Sequence, residues 1–307
     1  MSLNQINFKK WLSILSLTGL TISIPLVSFA VGQTAAVQSL PKLLLISDID
    51  DTIKVSHVLN KADAASRAAD VTTPFTGMAQ LYQWVSNSHT NTQIVYLSNA
   101  PEEVAGIPAF KISHQTFLNY NHFPKGELDL REDIFDQNFK ITEIRRLLKS
   151  EKPDIVIFVG DNGERDAEIY HQATIEFAQS GIQFHTFIHQ LYSKEKSFFK
   201  PDFLEELGHS IFPEQHGFVT PIEVALQLRD DNLISSAGLQ WMLQNVAPYI
   251  SQEKDFKWDG LKQITFPFFS NCADFEWATK RSEGGLESSE SKLLEQLKQK
   301  IEKECHP

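Results

Sequence analysis

Leu43-Leu44-Leu45-Ile46-Ser47-Asp48-Ile49-Asp50-Asp51-Thr52 is an apolar run that climbs into three acids within four residues and then a hydroxyl. Four apolar residues without alternation fit a strand buried on both faces of a parallel sheet. In such sheets the functional groups stand at the carboxyl ends of the strands, which puts Asp48 and Asp50 on the rim of a crevice. The two-residue period of a strand aims both acids the same way and turns Ile49 back into the protein. Two carboxylates held together repel unless a proton or a cation sits between them. The spacing alone leaves two readings. One is a polar loop or a cap for the next helix; the other is a nucleophile and an acid/base gathered around Mg²⁺ for phosphoryl transfer.

Downstream the strand signal recurs. Lys54 to Thr73 is a small polar insertion whose alanines, Ala62, Ala64, Ala65, Ala68 and Ala69, predict a short helix. Pro74, with Gly77 close by, opens a second helix with Leu81, Tyr82 and Val85 on its apolar face. Gln93 to Leu97 reads as a second buried strand running into Ser98-Asn99-Ala100-Pro101. Residues 113–122 read as an aromatic-rich helix or turn before the loop Phe123-Pro124-Lys125-Gly126. A helix from about Asp136 to Lys149 carries Ile141, Ile144, Leu147 and Leu148 at helical spacing and stops at Pro153. Ile155 to Val159 is a third strand, ending in Gly160-Asp161. The next helix presents Tyr170, Ala173, Thr174 and Phe177 and closes at Ser180-Gly181, before a fourth strand from Phe184 to Ile188. Strands alternating with helices predict right-handed βαβ units and an α/β fold with a Rossmann-like parallel sheet.

The two ends differ from this core. Lys9-Lys10 precede an uncharged stretch, Trp11 to Ala30, that closes on the small-x-small triplet Ser28-Phe29-Ala30. That is the form of a secretory signal peptide cut after Ala30, so export to the periplasm or the medium is expected; an uncleaved anchor is the alternative. The expected division is signal peptide 1–30, catalytic domain 42–197 and helical C-terminal extension 198–307. In the extension, Phe266-Pro267-Phe268-Phe269, Phe275 and Trp277 form an aromatic cluster, read as a core face in preference to a lipid-docking one. The last helix carries the stripe Leu293, Leu294, Leu297 and Ile301. Cys272 and Cys305 are the only cysteines; one disulfide and two free thiols both remain open. The formal charge is −11, and removal of residues 1–30, which hold two lysines and no acid, makes it more negative. That balance argues against nucleic acid and against a polybasic membrane-binding surface. A phosphorylated substrate stays compatible where the site carries its own cations.

The strand ends supply a coherent set: Asp48 and Asp50, Ser98, Lys140 in the helix before strand three, then Asp161 and Asp166. Attack on a phosphate ester needs an unprotonated nucleophile, a proton donor for the leaving alkoxide and donors around the phosphoryl oxygens. Mg²⁺ takes carboxylate oxygens, waters and a phosphate oxygen, which matches clustered acids with no His or Cys among them.

Asp48-x-Asp50-x-Thr52, Ser98, a lysine, then Gly160-Asp161-x4-Asp166 resembles the four-motif pattern of the haloacid dehalogenase superfamily. The longer stretches Ser47 to Lys54, Tyr96 to Pro101, Phe123-Pro124-x-Gly126 and Gly160 to Tyr170 resemble the catalytic domain of the App-type (actin-patch) phosphatidate phosphatases, over about residues 42–192. The resemblance implies Asp48 as the nucleophile that forms an aspartyl-phosphate. Asp50 would be the general acid/base, with its main-chain carbonyl on the metal. Thr52 would hold the turn and, with Ser98, Asn99 and Lys140, bind the phosphoryl group. Asp161 would complete the Mg²⁺ shell with Asp48, and Asp166 would orient the metal waters or Lys140. Phe139 replaces the usual His, Asn162 the usual Ser and Ala167 a commoner Pro; none of these removes a catalytic atom.

His185 and His189 share a strand face and read as structural histidines in preference to metal ligands. His57 fits substrate contact or a solvated loop, and Glu205-Glu206 a solvated helix face. The expectation is thus a Mg²⁺-dependent phosphomonoesterase with little or no cap, acting on phosphatidate or a related phospholipid, with transient contact at a membrane surface. The alternatives are a phosphatase of small soluble esters or phosphoproteins, and a non-catalytic module that binds a partner or a membrane.

Overall fold

The computed structural model describes residues 40–194, 207–251, 256–258, 261–267, 269–277 and 284–307. The signal-peptide segment, Glu205-Glu206 and Phe268 lie outside them.

Six parallel strands form one sheet in the order β3-β2-β1-β4-β5-β6. They are β1 Leu43–Ser47, β2 Thr92–Pro101, β3 Glu127–Arg131, β4 Ile155–Asp161, β5 Gln183–His189 and β6 His216–Phe218. The helices between them are α1 Lys61–Arg67, α2 Met78–Ser88, α3 Ala109–Tyr120, α4 Phe139–Glu151 and α5 Asp166–Glu176. After β6 come α6 Pro221–Asp230, α7 Ser236–Asn245 and α8 Ala247–Ser251. The antiparallel pair β7 Phe256–Trp258 and β8 Leu261–Gln263 and the final helix α9 Ser288–Cys305 complete the chain. Two of the six sheet strands, β3 and β6, are absent from the sequence reading. β3 alternates acids and leucines and is only partly buried, and β6 is three residues long, so neither presents a continuous apolar run.

β1 lies at the centre and has no exposed residue. Leu43 and Leu45 point into one core, with α2, α6, α7 and α9; Leu44 and Ile46 point into the other, with α4 and α5. The C-terminal segment shares the first core, through Phe269, Phe275, Leu294, Leu297 and Ile301. Its aromatic residues therefore do core work, as expected. Ile264 fastens this segment to the loop before α2, donating its N–H to Pro74 O (2.9 Å) and accepting from Thr76 N (2.8 Å). Cys272 and Cys305 form a disulfide, which ties α9 to the segment before it and resolves the choice between bridge and thiols.

Helix ends follow from local chemistry. α4 stops because Lys152 takes a left-handed conformation (φ 46°) just before Pro153. α6 starts on a Thr220/Glu223 capping box with Pro221 in its first turn. Burial pushes the Glu223 carboxyl up to about 7, against the hydrogen bonds it accepts from Thr220 and Val219. A folded-state pKa above the unfolded one (about 4.3) means stability is lost as pH rises through that window. Glu223→Gln keeps the capping acceptor and removes the charge. Its melting temperature should gain on wild type between pH 4.5 and 7, by an amount worth about 1–3 kcal/mol. A gap that does not widen with pH refutes this.

Candidate active site

The four motifs converge at the carboxyl ends of β1, β2 and β4, because β1 pairs directly with both β2 and β4. Asp48 follows β1 and donates its N–H to Val159 O of β4 (2.9 Å). Ile49 is fully buried, as the strand period requires. Asp161 ends β4, and Asp166 opens α5 five residues later. Gly160 makes this return feasible: a Cβ there would stand 2.6 Å from both Cβ and Oδ2 of Asp166.

The centre is a buried ion cluster. Lys140 Nζ donates to Asp48 Oδ1 (2.7 Å) and Asp166 Oδ1 (2.6 Å) and lies 3.7 Å from Glu164. Thr52 Oγ1 donates to Asp48 Oδ2 (3.2 Å) and sits 3.5 Å from Asp161 Oδ2. Asp161 Oδ1 accepts from Gly163 N (2.6 Å) and Glu164 N (3.2 Å). Burial raises the Asp48 and Asp161 carboxyls well above the usual range; Lys140 opposes this at Asp48, and neighbouring acids add to it at both. Burial would lower Lys140, but Asp166, Asp48 and Glu164 raise it well above an ordinary lysine.

Three buried carboxylates stand together here, and Lys140 bonds to only two of them, Asp48 and Asp166. Oxygens of Asp48, Asp161 and Asp166 all lie within 4.8 Å of one another. A hard divalent cation is the partner such a donor set fits, since it takes oxygen ligands and neutralises the excess charge. No other such group occurs among the described residues.

Asp50 stands apart from the triad. Its carboxylate accepts from Ser56 Oγ (2.5 Å) and His114 Nε2 (3.1 Å) and lies 3.6 Å from Lys54 Nζ. Burial works to raise its pKa, yet His114, Lys54 and Ser56 together hold it well below the usual carboxylate range. With 23% of its side chain exposed, it faces the cavity that opens over the site. That cavity, about 450 Å³, is lined by Asp48, Asp50, Ser98, Asn99, Arg131 and Glu164, with Ala64, Ala65, Ala68 and Phe110 among its apolar walls. Asn99 Nδ2 donates to Glu164 Oε2 (2.8 Å), and Ser98 Oγ accepts from Ala100 N (3.1 Å).

Other residues find structural work. Asp51, left-handed at φ 58°, accepts from the N–H groups of Ser56, His57 and Val58 (2.7–2.8 Å) and from Tyr192 Oη (2.5 Å). It thereby folds the loop after β1 into shape. Asn162 binds Leu191 N, Tyr192 N and Tyr192 O, a two-way bridge to the chain after β5. His57 lies outside the cavity lining and is not solvated: it is buried, bonded to Asp63 (2.8 Å) and stacked on Phe269 at 4.1 Å. His185 pairs with Asp231 (3.0 Å), and His189 donates Nδ1–H to Asp51 O (2.9 Å). Burial holds His189 down at about 4.

Sequence reasoning missed Glu164, His114 and Arg131. Glu164 lay inside a recognised motif without a role. His114 meets Asp50 across 64 residues, and no local pattern marks such a pair.

Residues 43–183 match the family model described as phosphatidate phosphatase APP1, catalytic domain. This bears out the resemblance carried by the motifs, and the matched family is a phosphatase family of the phosphoric monoester hydrolase class. No curated protein matches the chain. Among solved structures, a chain from "Structure of Pnkp1/Rnl/Hen1 complex" superposes with a TM-score of 0.32 and 15% identity, over 56% of this chain and 57% of that one.

Proposed function

We propose that this chain is a Mg²⁺-dependent phosphatidate phosphatase, or acts on a related phospholipid, through an aspartyl-phosphate on Asp48. The observation that carries the reading is the buried Asp48–Lys140–Asp166 cluster, with Asp161 beside it, at the floor of an open cavity. Asp48, Asp161 and Asp166 would hold the cation, together with the main-chain carbonyl of Asp50; it supplies the charge that lets a carboxylate and a phosphate approach.

An Asp48 oxygen bonds to phosphorus as the bond from phosphorus to the leaving oxygen breaks, and the alkoxide takes a proton from Asp50. Water then attacks the aspartyl-phosphate, gives its proton to Asp50 and releases inorganic phosphate and the Asp48 carboxylate. Lys140 favours the ionised form of Asp48 and so works against the burial that raises its pKa, and Ser98 and Asn99 stand where phosphoryl oxygens would enter. His114 and Lys54 favour the charged form of Asp50, which suits the second step. A phosphate drawn in beside it raises the cost of that charge and moves Asp50 toward the acid the first step needs.

The lipid class is supported by the family match and by the form of the cavity. The insertion after Thr52 provides only the seven-residue α1, and its alanines leave an apolar wall next to the phosphate position. Phosphate release from phosphatidate in mixed micelles and from soluble phosphomonoesters, each with Mg²⁺ or EDTA, tests the reading. Metal-dependent release from phosphatidate, lost in EDTA, is expected. Release from soluble esters alone would keep the mechanism and discard the lipid. No release, with co-sedimentation on vesicles, would leave a binding module.

A further inference from the structure

Arg131 ends β3, the edge strand next to β2, in register with Pro101 and three residues past Ser98 along that neighbour. Its main-chain carbonyl accepts from Glu102 N (2.8 Å), which fixes the strand end against the chain leaving β2. The side chain lines the same cavity as Asp48, Ser98 and Asn99. Its Nε is shielded from solvent and has no hydrogen-bond partner, and the guanidinium makes no ion pair among the described residues.

That isolation contrasts with the buried lysines of the site. Lys140 is held between Asp48 and Asp166. Lys54 is buried against Asp50 and the carbonyl of Ala68 (3.4 Å). Lys61, at the mouth, is exposed to solvent. The acids in the lining, Asp48, Asp50 and Glu164, repel an arriving phosphate, and the lysine expected to receive it has its charge already matched. A shielded, unmet guanidinium donor is costly in the folded protein unless a ligand meets it. Its planar fork fits two phosphate oxygens at once.

We propose that Arg131 is a substrate-binding residue of this site, whose guanidinium takes the oxygens of the substrate's phosphate and supplies the positive charge that the carboxylate-bound Lys140 does not. The proposal rests on the phosphatase reading but is tested by binding, so the two can fail separately.

Inorganic phosphate titrated calorimetrically into the full chain with Mg²⁺ present should bind R131M about 10–100-fold more weakly than wild type, with R131K in between. KM for a hydrolysed ester should rise by a similar factor while kcat stays within about 3-fold. The Arg131 side chain has no partner to lose, so melting should be unchanged. If R131M nevertheless unfolds, R131K decides: weakened phosphate binding supports the assignment and wild-type binding overturns it. Wild-type phosphate affinity in R131M, or no phosphate binding by the wild type, also overturns it. Phosphate binding that depends on Arg131 in a protein that hydrolyses no ester would keep this inference and remove the enzymatic reading. Normal hydrolysis with unchanged KM and affinity in R131M would do the reverse.

Discussion

Asp48→Asn should abolish phosphate release, by about 10⁴-fold or more, while leaving the protein at least as stable as the wild type. The amide cannot attack phosphorus, yet it keeps the shape of the acid, an oxygen for Lys140 and an N–H that the Thr52 hydroxyl can accept. Lys140 retains Asp166 at 2.6 Å. Burial raises the Asp48 carboxyl well above its ordinary range, even with Lys140 pulling the other way. A raised folded-state pKa makes the ionised acid a burden: wild-type stability falls as pH rises from the unfolded carboxylate value through the folded one. The neutral amide removes that slope. Melting followed in EDTA from pH 4 upward should show the variant gaining on wild type, alongside null turnover with Mg²⁺. Turnover near the wild-type rate would eliminate the aspartyl-phosphate, and a variant that melts well below wild type would contradict the burial account.

Lys140→Met should act in the opposite direction on stability. It takes away the one cation between Asp48 and Asp166, both buried, and leaves Asp161 beside them. Removing one partner of a buried ion cluster costs about 3–5 kcal/mol, or about 10 °C in melting temperature for a chain of this size. Activity should fall as well, since Asp48 would then shift toward its protonated, non-nucleophilic form. The double variant D48N/K140M should be less destabilised than K140M alone, because one of the stranded charges is gone. Thermal melts of the three variants against wild type check this; a K140M protein as stable as wild type would show that Lys140 does not hold the cluster together.

Much of this site was legible because strand-end chemistry is local. Leu43 to Ile46 announces a strand buried on both faces, and the residue after such a strand must emerge at the sheet's carboxyl edge. Asp48, Ser98 and Asp161 each follow that rule. Lys140 lies in the first turn of a helix whose apolar spacing fixes its face. The four motifs meet because β2 and β4 both pair with β1.

The rest depends on contacts between distant segments. The Asp50–His114 bond joins residues that only the packing of α3 brings together. Asp51 looks in sequence like a third catalytic acid and becomes a loop organiser because Tyr192, 141 residues away, meets it. Arg131 was invisible because β3 has no sequence signal: a half-polar edge strand carries no apolar run. Cys272 and Cys305 could have been thiols until α9 was laid against the segment that holds Cys272. By itself the sequence determined the central strands, the order of the motifs and the chemical identity of the cluster, because these follow from short-range periodicity and residue type. Only the tertiary structure decided which acids gather into the buried triad, which one organises the loop and which buried guanidinium nitrogen is left without a partner. Charge partners are chosen by distance in space, and sequence separation does not encode it.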